Sequence, residues 1–448
     1  MAKVSSNAWS SDLADGADTI VARATPSGRG GLAVVRISGD GTRRLAAVLC
    51  PGLDYGRGWT AALTMLRGAD GLEIERGVVT PFPEPRSYTG EDMLEIAMHG
   101  SPWLVQRLID AAIRAGARPA DPGEFTRRAV ANGKLDLVQA EAVNDLVSAQ
   151  TAWQARMARA QLEGALSREF RDLRDRMTNV LAEVEGALDF GQHELAYERD
   201  RARDGVEECL GKIRALVRTA EAGRRVRDGV RVAIVGEPNS GKSTLFNLLV
   251  GNERAIVSPH PGTTRDVIEA EVEMAGVPVI LQDTAGVGTP ADEVEEEGMR
   301  RARGVAAEAD VVVVLWPADG GVVAVPEDGP GRKVVRVRSK ADLGTGGDEE
   351  GWLAVSCRTG LGVATLRCEL GQMVESGVVD LGGSVAVAER HRIALDRAVG
   401  ELEGADFEQP ELVVEAVRGA LTAVGELTGE VATEEVLDRV FAAFCIGK

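Results

Sequence analysis

The sequence is poor in the residues that staple or metallate a chain. Its 448 residues include five cysteines, Cys50, Cys209, Cys357, Cys368 and Cys445, an odd, scattered set without a C-x-x-C pair. That pattern excludes a disulfide framework and a cysteine zinc site, and reduced thiols are expected. The four histidines (His99, His193, His260, His391) lie far apart, and no two share helical metal-ligand spacing. No apolar run is long enough to cross a bilayer, so no stable membrane insertion is expected. Met1 to Asp18 is polar, with no hydrophobic segment before a small-residue cleavage site, and a cytoplasmic location follows as the expectation. Positive charge is in deficit as well. Lys+Arg number 51 against 70 Asp+Glu, a formal net charge of −19. Such a chain repels a phosphate backbone at long range, so nucleic-acid contact would require a local patch or a basic partner.

What is present is organised around Val230 to Leu249, which reads as a buried strand, a glycine-punctuated loop and a helix start. Gly236, four intervening residues, then Gly241, Lys242 and Ser243 satisfy the P-loop pattern in its strand-to-helix context. Glycines let backbone N–H groups converge on phosphate oxygens, and the following helix adds its positive N-terminal end. Lys242 is placed for the β- and γ-phosphates, and the Ser243 hydroxyl for Mg²⁺.

The length exceeds one ordinary core, so two or three domains are expected. Asp18 to Ser38 suggests two strands joined by a Pro/Gly turn, with Arg36 on a solvated face of the second. Strand-like pieces with Pro-rich breaks continue from Asp70 to Ala97, and Pro102 to Ile113 suggests a helix; the first part of the chain reads as a β-rich α+β domain. From Lys134 the texture becomes helical. Leu162, Leu166, Phe170, Leu173, Met177, Val180, Val184 and Leu188 recur at intervals of three and four, the pattern of a long amphipathic helix ended near Asp189 to Gly191. Val206, Leu210, Ile213 and Val217 repeat the signal, and a charged link from Glu221 to Gly229 leads to the P-loop strand. Further stripes follow Pro410, and the last begins at Thr433 as N-cap with Glu434 and Glu435 in the first turn. The economical architecture is an α/β domain inserted into a helical bundle built from both flanks.

Past the P-loop, Val279 to Gln282 runs as a strand into Asp283-Thr284-Ala285-Gly286, a D-x-x-G suited to hold Mg²⁺ through water and to sense the γ-phosphate. Gly262 to Asp266 lies between, where a threonine hydroxyl can complete the Mg²⁺ shell. A strand at Lys333 to Arg338 leads to Ser339-Lys340-Ala341-Asp342. The Asp342 carboxylate can accept from both the ring N–H and the exocyclic amine of guanine. Ser339 stands where such motifs carry asparagine and is too short to reproduce its amide contacts. Ser356-Cys357-Arg358 resembles the last guanine-facing loop. Taken alone, these motifs fit a nucleotide-hydrolysing enzyme and a GTP-dependent switch in ribosome or membrane processes equally well.

Nearly the whole chain resembles the tRNA modification GTPase MnmE (TrmE) family. The resemblance is carried by T-I-V-A-x-A-T-P-x-G-R-G-G, G-E-D-M-L-E, P-G-E-F-T-R-R-A and K-L-D-L-V-Q-A-E-A, by the nucleotide motifs, and by the terminal F-C-I-G-K. It implies a multidomain α/β and α+β fold. A tetrahydrofolate-binding-like and dimerisation domain is expected over 1–132, a helical domain over 133–226 and 385–448, and an inserted Ras-like P-loop GTPase domain over 227–384. The resemblance implies action with a flavoprotein partner, MnmG (GidA), as a heterotetramer in which FAD belongs to the partner. The expected product is an aminomethyl-type (carboxymethylaminomethyl) group on C5 of the wobble uridine of certain tRNAs, bound through the complex. It implies a homodimer, K⁺-stimulated GTP hydrolysis on dimerised G domains, and 5,10-methylenetetrahydrofolate, a ligand like 5-formyltetrahydrofolate, as carbon source.

Carried over by motif, the GTP contacts are Asn239, Ser240, Gly241, Lys242, Ser243 and Thr244; Ser258, Pro259, His260, Pro261, Gly262, Thr263 and Thr264; Asp283, Thr284, Ala285 and Gly286; Ser339, Lys340, Ala341 and Asp342; and Ser356, Cys357 and Arg358. Ser243 and Thr264 match the Mg²⁺ ligands. Asn239, Ser258, His260 and Thr263 match the K⁺ site, with His260 contributing a carbonyl. Glu295, twelve residues beyond Asp283, matches the catalytic glutamate. Arg36, Glu95, Lys134 and Lys448 match folate contacts, and Cys445 matches a thiol near that pocket or else is a buried helix-end cysteine. The folate-like first domain and C-terminal C-I-G-K are what separate this reading from a pure GTP switch.

Overall fold

The computed structural model describes residues 18–189, 197–252, 254–255, 268–284, 303–318, 332–344, 351–379, 386–431 and 433–448. The chain forms two compact units. One comprises Met1–Asn144, Leu162–Val206 and Gly400–Lys448, the other Asp145–Gln161 and Glu207–Val399.

In the first unit, β1 (Ile20–Arg23), β2 (Gly30–Ser38), β3 (Ala62–Arg67), β4 (Glu73–Phe82), β5 (Met93–Gly100) and β6 (Arg118–Pro119) form a six-stranded sheet in the order β3-β4-β5-β2-β1-β6. Alternation sets its inner face: Ala33, Val35 and Ile37 of β2 are buried together with Leu94 and Ile96 of β5. Helices Thr42–Leu49 and Pro102–Arg114 close this core through Leu45, Leu49, Val105 and Leu108. The second begins with proline at its first turn, where the missing N–H costs nothing. Arg36 is a correction to the sequence reading. Its side chain is 18% exposed, because β2 and β5 pair Arg36 directly with Glu95 and an ion pair of 2.7 Å draws it in.

The same unit contains the long helix Ala165–Asp189, with Leu166, Phe170, Leu173, Met177, Val180 and Val184 buried at the expected spacing. It packs on Pro410–Thr428, whose Val413, Val417, Ala420 and Val424 face inward. Leu162 instead ends a separate helix, Ala152–Leu162, because Gly164 at φ +81 turns the chain between the two. The last helix, Glu434–Ala442, starts where the sequence predicts, with the Thr433 hydroxyl accepting from the Val436 N–H.

In the second unit, β7 (Val230–Gly236), β8 (Arg254–Ala255), β9 (Ile268–Met274), β10 (Val277–Asp283), β11 (Val311–Pro317), β12 (Lys333–Ser339) and β13 (Leu353–Ala354) form a seven-stranded sheet in the order β13-β12-β11-β7-β10-β9-β8. The five from β13 to β10 run parallel, and the central β11, V-V-V-V-L-W-P, is a near-continuous apolar run, as a strand covered on both faces must be. β9 is antiparallel and reads I-E-A-E-V-E-M, alternating toward one buried face. Helix Val363–Val379 covers the sheet through Leu366, Leu370, Val374 and Val378. The stretch expected as a link before β7 is a helix, Ala220–Asp228. Its Ala222 and Val226 join the core at i, i+4 spacing, while Arg224 and Arg225 bond to buried Asp310 at 2.7 and 3.1 Å. An inward face of Ala222, Gly223 and Val226 amid arginines and acids is too small a signal to distinguish that helix from a linker.

Candidate functional site

β7 lies between two parallel neighbours, β11 and β10, so its C-terminal end opens at the point where the strand order reverses, the place where open α/β sheets bind ligands. Gly236 ends the strand. A Cβ there would stand 2.6 Å from the Leu315 carbonyl oxygen, so the chain can pass only as glycine. The loop then turns through Asn239 at φ +62, a left-handed conformation that asparagine tolerates better than most residues, and Gly241 at φ +96. Helix Lys242–Asn252 follows and directs its free N–H groups at the loop.

Lys242 is 7% exposed, and its Nζ donates to the Gly236 and Glu237 carbonyls at 3.2 and 2.9 Å. Burial pushes its pKa down, and the nearby Asp283 carboxylate acts the other way. Asp283 ends β10 opposite Ile234 and is equally buried, and its neighbour Thr284 donates to the Ile234 carbonyl at 2.7 Å. Two buried polar atoms here have no hydrogen-bond partner, Asp283 Oδ1 and Ser240 Oγ. An orphaned carboxylate oxygen beside a P-loop is costly unless a ligand or cation satisfies it, and the hard oxygen donor suits Mg²⁺. Ser243 and Thr244 stand exposed in the first helical turn.

The base-facing side is built from the ends of β12 and β13. Ser339 reaches the P-loop, its hydroxyl donating to the Ser240 carbonyl at 2.6 Å. Lys340 takes φ +57 and turns the chain into the Ala341–Leu343 helical turn, tied by Ala341 N–H to the Val355 carbonyl. Asp342 Oδ1 accepts from Ser356 Oγ at 2.7 Å, and Oδ2 pairs with Arg358 Nε at 3.0 Å. The Ser356 hydroxyl and the Arg358 guanidinium hold the Asp342 carboxyl below the usual carboxylate range, against the effect of its burial. Burial, reinforced by Asp342, pushes the half-buried Cys357 thiol up.

These two sides bound one open cavity of ≈ 550 Å³. Asn239 to Thr244 line the phosphate side, with Ser339, Lys340, Asp342, Leu343, Cys357 and Arg358 opposite. Glu295, Ser258, Pro259, His260, Pro261, Gly262, Thr263, Thr264, Ala285 and Gly286 lie outside the described residues.

In the first unit, Arg36 donates twice to Glu95 Oε1 and once to the Gly447 carbonyl at 3.2 Å, which brings the C-terminus to β2. Its guanidinium lies 5.6 Å from the ring centroids of both Tyr88 and Phe125. Sequence reasoning missed these two aromatics, and no local motif marks them, because only the fold brings them over Arg36. Burial and the adjacent Arg36 lower the Lys448 pKa. Lys134 is joined elsewhere, with Nζ donating to the Pro85 carbonyl at 3.0 Å. Cys445 is exposed, which removes the reading of it as a buried helix-end thiol; the chain leaves the helix before it, and Phe444 takes the buried place.

A family model described as the TrmE N-terminus of a GTP-binding protein matches residues 19–134, and one described as the MnmE helical domain matches residues 137–445. Against solved structures, the crystal structure of an Aquifex aeolicus Era variant bound to GDP.AlF4- overlaps 40% of this chain and 69% of that chain, at 21% identity and a TM-score of 0.26, a likeness too low to bear on function. The curated relatives are far nearer. The tRNA modification GTPase MnmE of Halorhodospira halophila is 43% identical, covering 97% of this chain and 96% of its own. Those of Thermus thermophilus and Methylobacterium radiotolerans are 41% and 42% identical, each covering 96% of this chain and 99% of their own. On these full-length identities and both matching domain models, the chain belongs to the tRNA modification GTPase MnmE family.

Proposed function

We propose that this GTPase of tRNA modification builds an aminomethyl-type (carboxymethylaminomethyl) group at C5 of the wobble uridine of certain tRNAs, together with a flavoprotein partner, MnmG (GidA), that contributes FAD. The observation that carries the GTPase step is the single cavity whose two sides are the P-loop and the Asp342 loop, joined by the Ser339 to Ser240 hydrogen bond. One side offers backbone N–H groups and Lys242 to phosphates; the other offers a carboxylate to a guanine edge.

In hydrolysis, water attacks the γ-phosphorus, the bond to the β-phosphate oxygen breaks, and GDP and phosphate leave. Lys242 and the N–H groups of the loop gather the charge that develops between the β- and γ-phosphates. Ser243 and Thr264 would hold Mg²⁺, with Asp283 acting through water, and that ion neutralises the same charge. Asn239, Ser258, His260 and Thr263 would hold K⁺, and Glu295 would orient the attacking water. Arg36, Glu95 and Lys448, with Lys134 from the neighbouring loop, would hold a reduced folate such as 5,10-methylenetetrahydrofolate as the carbon source, with Cys445 exposed near the C-terminal end of that group. The domain scheme proposed for these tasks is 1–132 for folate and dimerisation, 133–226 with 385–448 for the helical domain, and 227–384 for GTP.

The assembly proposed is a cytoplasmic homodimer that joins the partner as a heterotetramer and holds tRNA through the complex, since a net charge of −19 opposes tight independent binding. Among the described residues no helix is long and apolar enough to cross a membrane. The decisive experiment is nucleoside analysis of tRNA from cells lacking the protein. Loss of the C5-modified wobble uridine, restored by wild type and not by Lys242→Ala, is expected; an unchanged nucleoside profile would overturn the reading. Light scattering that gave a monomer at micromolar concentration would overturn the assembly.

A further inference from the structure

The Asp342 carboxylate is held from both sides by its own loop partner. A carboxylate offers about four acceptor positions, two on each oxygen. Ser356 Oγ donates to Oδ1, Arg358 Nε lies 3.0 Å from Oδ2 as an ion pair, and the backbone N–H of Asp342 itself also reaches the carboxylate. The two oxygens thus have different side-chain neighbours, and each can still take a further donor, so the pair can meet the two that guanine presents, its ring N–H and its exocyclic amine.

The two anchors differ in kind. Ser356 is fully buried, its N–H bonded to the Leu361 carbonyl, so its hydroxyl is a fixed post. Arg358 is 78% exposed at the rim of the cavity, whereas the Asp342 side chain is 12% exposed. A carboxylate held at one oxygen alone turns freely about its terminal torsion, which has only broad, shallow preferences. A second anchor on the other oxygen removes that freedom and leaves less to be lost when a ligand binds.

We propose that Arg358 is a positioning residue for base discrimination, fixing the plane of the Asp342 carboxylate so that both of its oxygens meet a guanine edge at once. It acts through Asp342. Its effect should therefore depend on the number of donors the base presents, whereas simple attraction of a cation for phosphate would be the same for every base. The inference rests on the reading of Asp342 as the guanine-recognising residue.

Hypoxanthine presents the ring N–H and lacks the exocyclic amine, so inosine 5′-diphosphate is the discriminating probe. Affinities of GDP and of inosine 5′-diphosphate are to be measured by competition against a fluorescent GDP analogue, on the full chain and on its variants. Arg358→Ala should weaken GDP roughly two- to five-fold, the scale of an exposed ion pair. Inosine 5′-diphosphate should be unchanged, so the ratio of the two affinities falls by the same factor. Arg358→Lys, which keeps a cationic donor, should restore most of the loss. Equal weakening of both nucleotides, or no change in either, would overturn the proposal. Asp342→Asn tests the underlying reading separately, because it should shift preference toward xanthosine 5′-diphosphate. Absence of that shift sinks the reading of Asp342, whereas a normal shift with an unaltered affinity ratio in Arg358→Ala sinks the role of Arg358 alone.

Discussion

Ser339 and Ser240 stand 99 residues apart in sequence, yet the Ser339 hydroxyl donates to the Ser240 carbonyl at 2.6 Å and fastens the base-recognition loop to the phosphate loop. The bond is buried, so removing the hydroxyl leaves the Ser240 carbonyl short of a partner, at a cost of about 1–3 kcal/mol. Because the bond tethers two walls of one cavity, the loss should fall on nucleotide binding. Ser339→Ala is expected to weaken GTP and GDP alike by at least roughly five-fold and at most about 150-fold. Calorimetric titration of both nucleotides checks this, and affinities equal to wild type would show that the two loops hold their places without the tether.

A second prediction concerns acid stability. Glu124 is buried, and burial alone would raise its pKa. Arg118 at 2.6 and 2.8 Å, the Asp121 N–H at 2.9 Å and Arg128 at 2.9 Å outweigh that, so its pKa lies below the ordinary 4.5. A carboxyl whose folded pKa is depressed contributes stability that is present above its unfolded pKa and is lost as pH falls through the folded value. Glu124→Gln should therefore lower the protection of helix Glu124–Ala131 by about 2–3 kcal/mol near pH 7, slightly under the cost of breaking a buried pair because Arg128 also reaches Glu91. The difference from wild type should close as pH drops below 4.5. Hydrogen exchange at the two pH values checks it, and a difference that stays constant with pH would exclude the ionised carboxylate as its source.

The parts of this molecule that were legible in sequence are those in which a local rule and the tertiary structure agree. Gly236 ends a largely apolar strand and Gly241 precedes a helix, and that one arrangement accommodates them. Thr433 with its two following glutamates marks a helix start because capping is settled within four residues. Helix Ala220–Asp228 was hidden because its inward face is only Ala222, Gly223 and Val226, and its arginines gain a role only when Asp310 arrives from just before β11. The Ser339 tether was hidden for a related reason. Side-chain length was legible, but the separation of the two backbones was not, and reach depends on both. The Tyr88 and Phe125 rings around Arg36 carry no signature at all, since they come from a loop and a helix far apart in the chain.

Glu295 provides a prediction that separates binding from chemistry. A group that orients the attacking water touches the transition state and leaves ground-state nucleotide affinity largely alone, so its removal should lower kcat with little change in KM. Glu295→Ala is expected to bind GTP like wild type and to turn over roughly 10²-fold more slowly or worse. Single-turnover hydrolysis measured alongside equilibrium binding checks the split. A loss of affinity with kcat retained would move Glu295 out of the catalytic role.

The last prediction follows from the charge that accumulates between the β- and γ-phosphates during hydrolysis, which needs a cation or a positioned donor beyond Lys242 and Mg²⁺. An arginine finger is one solution, but the arginine lining the described cavity, Arg358, is bound to Asp342 on the base side. Asn239 lines the phosphate side, held at φ +62 on the crest of the loop, and its amide oxygen is a neutral, hard donor of the kind that suits a weakly hydrated monovalent ion. Hydrolysis should therefore be several-fold to many-fold faster in K⁺ than in Na⁺ at equal ionic strength, because a larger ion sheds water more readily to take such ligands. Asn239→Ala in K⁺ should fall to the rate of wild type in Na⁺ and should respond little to exchange of the two salts. Steady-state phosphate release in matched salts checks both halves of this. Equal wild-type rates in the two salts would remove the cation from the mechanism. A variant that stayed fully K⁺-responsive would keep the cation but transfer its ligand elsewhere.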